Sequence, residues 1–370
     1  MGVIISEKYT FDKELFEKSI RLITYYQANS GAFIASPDFA QYNFCWIRDA
    51  TFIAYALDVW GYHRYAHKYY MWVRSVLDKK IDDIKSIISD EHEISSDDPR
   101  LLPARFSLAG EALNDDWPNF QLDGYGTLLW GLTEHIKLSQ SYDASMFSEL
   151  IYYTSAYLKH LWNHPCYDCW EENGDKIHAS TLACIAGGLK AVSEIPGVEL
   201  PDNLNRTIGE IYNFITTRLI KDGHFVKHEG SLEVDASLMW LCTPFNIFDV
   251  NNTIFDNTLT LIESELGFPG VRRYPSDVYY GGGRWPLLTC LLGICAARDR
   301  QLDKAIECLN WVEAQASPAG ELPEQVEGEI INPEAYKTWV ASWGPPARLL
   351  LWSHAMYLIL LHQILNSLND

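Results

Sequence analysis

An alternation in the segments that join its helical stretches is what most constrains this chain. Apolar residues recur three and four apart almost everywhere, while alternating strand patterns with paired turn signals are nearly missing, so the sequence predicts a mostly α fold. Twelve helices are expected over 11–29, 49–60, 62–78, 122–138, 144–163, 177–194, 203–219, 233–242, 254–264, 284–298, 302–316 and 347–366, with a short extra helix within 79–95. The connections entering odd-numbered helices are short and plain, such as WGYH (60–63) and ARDRQ (297–301). Those entering even-numbered helices are long and chemically dense. They read YNFCWIRD (42–49), NDDWPNFQLDG (114–124), PCYDCWEENGD (165–175), VKHEGSLEVD (226–235), RRYPSDVYYGGGRW (272–285), and ELPEQVEG (321–328) with a further stretch to Pro346.

Six hairpins with outer odd helices and inner even helices close into a toroid, an all-α, α/α-barrel architecture. All six dense loops then gather at one mouth, by the N-termini of the inner helices, where the helix dipoles favour acidic groups. An open α-solenoid would also pair helices, but nothing in it would require aromatic and acidic residues at alternate connections. No flexible, Gly/Pro-rich linker interrupts the chain, so residues 1–370 read as one domain.

The net charge of −20 disfavours a nucleic-acid backbone or an anionic membrane as partner and leaves a small neutral molecule open. The N-terminus lacks a basic segment followed by an apolar one, and the most apolar stretch, near Leu349–Leu361, is too short to span a bilayer. A cytoplasmic protein is the expectation; oligomeric state is not legible. The eight cysteines are scattered, as expected of reduced structural thiols. Cys166 and Cys169 form a lone CxxC without a second CxxC or a nearby pair of histidines, and His228 and His354, placed near the mouth, lack ligand spacing. Neither a metal nor a cofactor is expected.

Motifs for zinc peptidase, serine hydrolase and phosphate-loop chemistry do not occur in the loops. Aromatic faces beside Asp, Arg and Gln suit a sugar, whose C–H face packs on a ring while its hydroxyls take charged or amide partners. Cleaving a glycosidic bond needs two carboxyl groups, one protonated and one ionised. Glu171, beside Trp170 and between Asp168 and Glu172, is expected to hold its proton through partial desolvation and like-charge crowding. The second carboxylate belongs to another loop. Glu324 stands out behind Pro323 and before Gln325, with Glu321, Glu327 and Glu329 as rivals.

CWIRDATF, WPNFQLDG, CYDCWEEN, RRYPSDVY, LPEQ and LLWSHAMYL, in this order over nearly the whole chain, resemble the signature loops of the glucoamylase family of glycoside hydrolases, family 15. The resemblance implies an (α/α)6 barrel that attacks sugars from the non-reducing end with inversion. It places the general acid at Glu171, with Asp168 and Glu172 as acidic companions, and the general base at Glu324. It further assigns Arg48 and Asp49 to hydroxyls of the terminal glucose, Trp117, Gln121 and Asp123 to the loop flanking the acid, and Arg273, Trp170 and Trp285 to the sugar's surroundings. The chain has room for neither the extra β-sandwich nor the starch-binding module of many relatives. A short oligosaccharide is therefore expected, isomaltose ahead of maltose and trehalose. The competing expectation is a non-catalytic, sugar-sensing barrel, which would tolerate loss of either carboxylate.

Overall fold

The computed structural model describes residues 3–4, 10–92, 94–113, 115–140 and 142–369. Residues 1–2 and 5–9 of the segment read above as lacking a leader, Glu93 in the expected extra helix, Asn114 at the start of the second dense loop, and Asp370 lie outside the described residues. Among those described, the α-helices are α1 (Lys13–Tyr25), α2 (Ile47–Val59), α3 (His63–Leu77), α4 (Ile81–Ile88), α5 (Asp123–Ser139), α6 (Ser148–Leu161), α7 (Ala179–Ser193), α8 (Leu204–Arg218), α9 (Thr253–Leu261), α10 (Pro286–Arg298), α11 (Leu302–Ala314), α12 (Pro333–Trp343) and α13 (Leu351–Asn369). Among the described residues, strand structure is limited to three antiparallel pairs of two residues each. No helix among the described residues is long and apolar enough to cross a membrane.

The ring closes. Helix α2 packs on α5, α5 on α7, α7 on a 3-10 helix at Ala236–Leu241, that helix on α10, α10 on α13, and α13 back on α2. Outside them, α1, α3, α6, α8, α9 and α11 lean on the inner members. Burial follows this division. Nearly every residue of α7 and α10 is buried, whereas α8 buries a single stripe of Leu204, Thr207, Ile211 and Ile215 at helical spacing. A helix apolar all round belongs inside; one with a single apolar stripe needs only one neighbour. The tightest inner contact, α5 on α7, depends on glycine. A Cβ on Gly126 would stand 2.4 Å from the Cys184 carbonyl, and one on Gly188 would stand 2.2 Å from the Gly126 carbonyl oxygen.

Three expectations need correction. The helix foreseen over 233–242 is the short 3-10 segment Ala236–Leu241. Asp235 caps it through the Ser237 N–H at 2.8 Å, and Pro244, which has no N–H and disfavours a helical residue before it, stops it from lengthening. The helix foreseen over 254–264 ends at Leu261 and passes into a π turn, Ile262–Leu266. The stretch before Pro346, read as loop, contains α12, started by the Asn332 side chain on the Ala335 N–H and by Pro333 at the first position.

Aromatic rings fill the barrel axis. Phe52 of α2 stacks on Trp240 and on Trp352 at centroid distances of 6.0 and 5.6 Å, which gives the mouth a floor.

Candidate active site

At the mouth the dense loops enclose a cavity of about 410 Å³. Its wall includes Trp46, Arg48, Asp49, Trp117, Trp170, Glu171, Glu172, Arg273, Trp285 and Glu324, with Trp352 at the floor. The structure therefore brings most of the sequence-derived residues together. Gln121, Asp123 and Asp168 stand behind the wall, where they hold others in place. The fourth dense loop, 226–235, also misses the wall and acts from behind.

Glu171 sits on a tight turn shaped by Asp168. One Asp168 oxygen accepts from the Trp170 and Glu172 backbone N–H groups, both at 2.9 Å, and the Glu171 N–H donates to the Asp168 carbonyl at 2.9 Å. Glu171 is left at φ +66°, a left-handed conformation that costs a non-glycine residue about 1–3 kcal/mol and is characteristic of functional turns. Its Oε1 accepts from Trp46 Nε1 at 2.7 Å, Trp117 Nε1 at 2.9 Å and Gln121 Nε2 at 3.1 Å.

The like-charge crowding expected around Glu171 is not what the fold builds. Asp168 is buried against Lys227 Nζ at 2.9 Å, and this cation holds its carboxyl below the usual range against the opposing effect of burial. Glu172 turns to Arg273 Nη2 at 3.2 Å and the Tyr274 hydroxyl at 2.7 Å. Lys227 also meets Asp235 at 3.3 Å, and Asp235 in turn accepts from Trp170 Nε1. Cations from distant loops thus neutralise the acidic run, and sequence neighbours of Glu171 become its scaffold.

Glu324 is a buried carboxyl with a raised affinity for its proton. It is 2% exposed, and burial pushes it up to about 7, against the opposing effects of the Tyr42 hydroxyl and Arg273. Tyr42 donates to its Oε1 at 2.6 Å, Tyr279 approaches its Oε2 at 3.3 Å, and the two hydroxyls are 2.8 Å apart. Its loop is sewn to the start of α13: the Leu322 N–H donates to His354 Nε2 at 3.0 Å, the Glu324 N–H to the Ala347 carbonyl at 2.9 Å, and the Ser353 hydroxyl to the Pro323 carbonyl at 2.8 Å. His354, placed at the mouth by sequence, is fully buried, bonded also to Ser19, and held neutral by burial, its pKa lowered to about 3.

Between the two glutamates lies a frame of charges. Arg48 bonds Asp49 at 3.2 Å, Asp123 at 3.0 Å and Gln121 at 3.1 Å, and lies over Trp352. Burial raises Asp49 to about 6 although Arg48 pulls it down. Arg273 grips Asp277 with two bonds, 2.8 and 2.6 Å, and faces Trp170, Tyr279 and Trp285. Trp285 and Trp352 each keep a shielded indole N–H without a protein partner. Residues the sequence reading missed are Tyr42, Trp46, Tyr279 and the α12 indoles Trp339 and Trp343, all on the wall. Trp46 lay inside the quoted CWIRD motif and Tyr279 in the RRYPSDVYY loop, so proximity to those motifs was the available signal.

Comparison with known proteins identifies the family. The family model of Glycosyl hydrolases family 15 matches residues 14–312. An isomaltose glucohydrolase from Kribbella flavida is 35% identical over 95% of this chain and 92% of its own length. An uncharacterized glycosyl hydrolase of Methanocaldococcus jannaschii is 26% identical over 90% of this chain but 53% of its own, so this chain spans about half of that relative. A solved glycosidase superposes with a TM-score of 0.90 at 35% identity, over 95% of this chain and 96% of that one, and a variant glycosidase in complex with glucose gives 0.89 at 34% with the same coverage. A bacterial glucoamylase complexed with acarbose shares the (α/α)6 fold, at a TM-score of 0.74 and 16% identity over 96% of this chain and 56% of that one. This chain is a glycoside hydrolase and belongs to glycosyl hydrolases family 15.

Proposed function

We propose that the whole chain works as one unit that hydrolyses the α-glucosidic bond at the non-reducing end of short gluco-oligosaccharides, isomaltose ahead of maltose and trehalose, with inversion. The observation that carries the reading is the pair of glutamates on different loops of one aromatic pocket, held in contrasting ways. Glu171 has Oε1 occupied by three N–H donors, which leaves Oε2 as the oxygen that hands over a proton, and the donors stabilise the carboxylate left after transfer. Glu324, held at about 7 by burial, is a base matched to neutral pH.

In the reaction, a water held by Glu324 attacks the anomeric carbon as the bond to the leaving oxygen breaks. Glu171 gives its proton to that oxygen, Glu324 takes one from the water, and β-glucose results. A pair separated by roughly 6.5–9.5 Å leaves room for this water. Arg48 and Asp49 hold hydroxyls of the terminal glucose. The isomaltose preference rests on the likeness to the Kribbella flavida protein, which carries that name. A passive sugar sensor gains nothing from burying an ionisable carboxyl such as Glu324, which disfavours that alternative.

Following glucose release from isomaltose, maltose, trehalose, nigerose and kojibiose by NMR tests linkage and stereochemistry together. With the acid removed in Glu171→Gln, glucosyl fluoride should keep comparatively more rate than isomaltose, while Glu324→Ala should slow both. Initial α-glucose, or equal losses on both substrates in Glu171→Gln, would sink the assignment.

A further inference from the structure

Arg105 is a buried cation to which the mechanism above gives no part. It lies in a two-residue strand, Arg105–Phe106, paired antiparallel with Cys45–Trp46, and the register sets Arg105 directly opposite Trp46. It is 2% exposed. Its guanidinium carbon is 3.9 Å from the Trp117 ring centroid, 4.5 Å from that of Phe44 and 5.1 Å from that of Trp46. Nη2 donates to Asp115 at 2.7 Å, on a side chain that is 42% exposed, and the shielded Nε has no partner. A guanidinium this well buried would normally be surrounded by acceptors. Here it is surrounded by aromatic faces.

Two of those faces belong to Trp46 and Trp117, the indoles that donate to Glu171 Oε1 at 2.7 and 2.9 Å. Their rings meet edge to face, with centroids 5.8 Å apart. We propose that Arg105 is a positioning residue for the acid Glu171, clamping both indoles so that their N–H groups converge on one carboxyl oxygen. The proposal rests on the reading of Glu171 as the acid. The clamp acts in two ways. A planar cation against the rings fixes their tilt, and it draws electron density from the faces, which makes each indole N–H a stronger donor to the carboxylate formed when the proton leaves. The other charges that face Glu171 are Arg48 and Asp49 on α2, with Glu172, the next residue, paired to Arg273.

The test compares Arg105→Met and Arg105→Lys with the parent and with Glu171→Gln, using isomaltose and glucosyl fluoride, full pH profiles and melting temperatures. Arg105→Met should lower kcat on isomaltose on the order of 10–100-fold, the scale of a misplaced catalytic group. KM should move little, the fluoride should be largely spared, and the alkaline limb of kcat/KM should move to higher pH as the carboxylate loses its donors. Arg105→Lys, which keeps the charge but not the plane, should fall between, and it carries the comparison if Arg105→Met does not fold. Equal loss on both substrates with an unmoved alkaline limb would mean that Arg105 only packs, and overturns the proposal. So does normal isomaltose turnover in Arg105→Met alongside a selective loss in Glu171→Gln, an outcome that leaves the acid assignment standing. Normal isomaltose turnover in Glu171→Gln itself removes the acid assignment and the proposal with it.

Discussion

Replacing the base by its amide should stabilise this protein while abolishing its activity, and the gain should depend on pH in a defined window. Glu324 has an ordinary pKa of 4.5, and in the fold it is raised to about 7. Between those values the folded chain keeps a proton that the unfolded chain has released. Stability therefore falls as pH rises from 4.5 to about 7 and stays lower above it. Each unit is worth 1.36 kcal/mol, so the buried carboxyl costs about 3 kcal/mol at pH 8. In Glu324→Gln the amide oxygen can still accept from Tyr42 and the amide nitrogen can donate to Tyr279, so no polar group is stranded. Urea unfolding of the two proteins at about pH 4, 5.5 and 8 should give a stability difference that grows from near zero to about 3 kcal/mol in favour of the variant. A difference independent of pH, or a variant less stable at pH 8, would refute the claim that the fold holds Glu324 against its ionisation.

Tyr42→Phe removes a hydrogen bond that favours the ionised Glu324. Such a bond to a charged group is worth about 1.5–3 kcal/mol, so the acid limb of kcat/KM should move up by about one to two units and the rate near pH 6 should fall about 10–100-fold; an unmoved limb would remove the phenol from the account. Lys227→Met takes the cation from the buried pair Asp168 and Asp235, while Glu172 keeps Arg273, and should cost about 3–5 kcal/mol, read as a lower melting temperature. An unchanged melting temperature would mean that those carboxylates do not depend on Lys227.

The ring was legible because closure leaves a periodic mark. Inner helices that are apolar on every side alternate with outer ones that carry a stripe, and chemistry collects at one set of connections. Where the sequence misled, the cause was local or distant in identifiable ways. The eighth helix fails because Pro244 limits a segment whose apolar pattern alone would extend it. Helix α12 escaped notice because it buries no residue and so has no stripe to read; its marker was the Asn332-Pro333 pair. In the site, the acidic run around Glu171 looked crowded because sequence displays neighbours and hides Lys227 and Arg273, which arrive from other loops. Tyr42 and Tyr279 share Glu324 only in three dimensions, the first across 282 residues.

The aromatic floor has a consequence for traffic. With Phe52 stacked beneath Trp352, substrate enters and product departs by the same opening. Order is then imposed by geometry: the terminal glucosyl unit goes in first and comes out last, after the remainder of the saccharide has cleared the doorway. Every turnover ends with an empty chamber, so a longer chain must dissociate and re-enter for each unit removed. Released glucose occupies the seat that the next substrate requires, and its accumulation should slow the enzyme by simple competition.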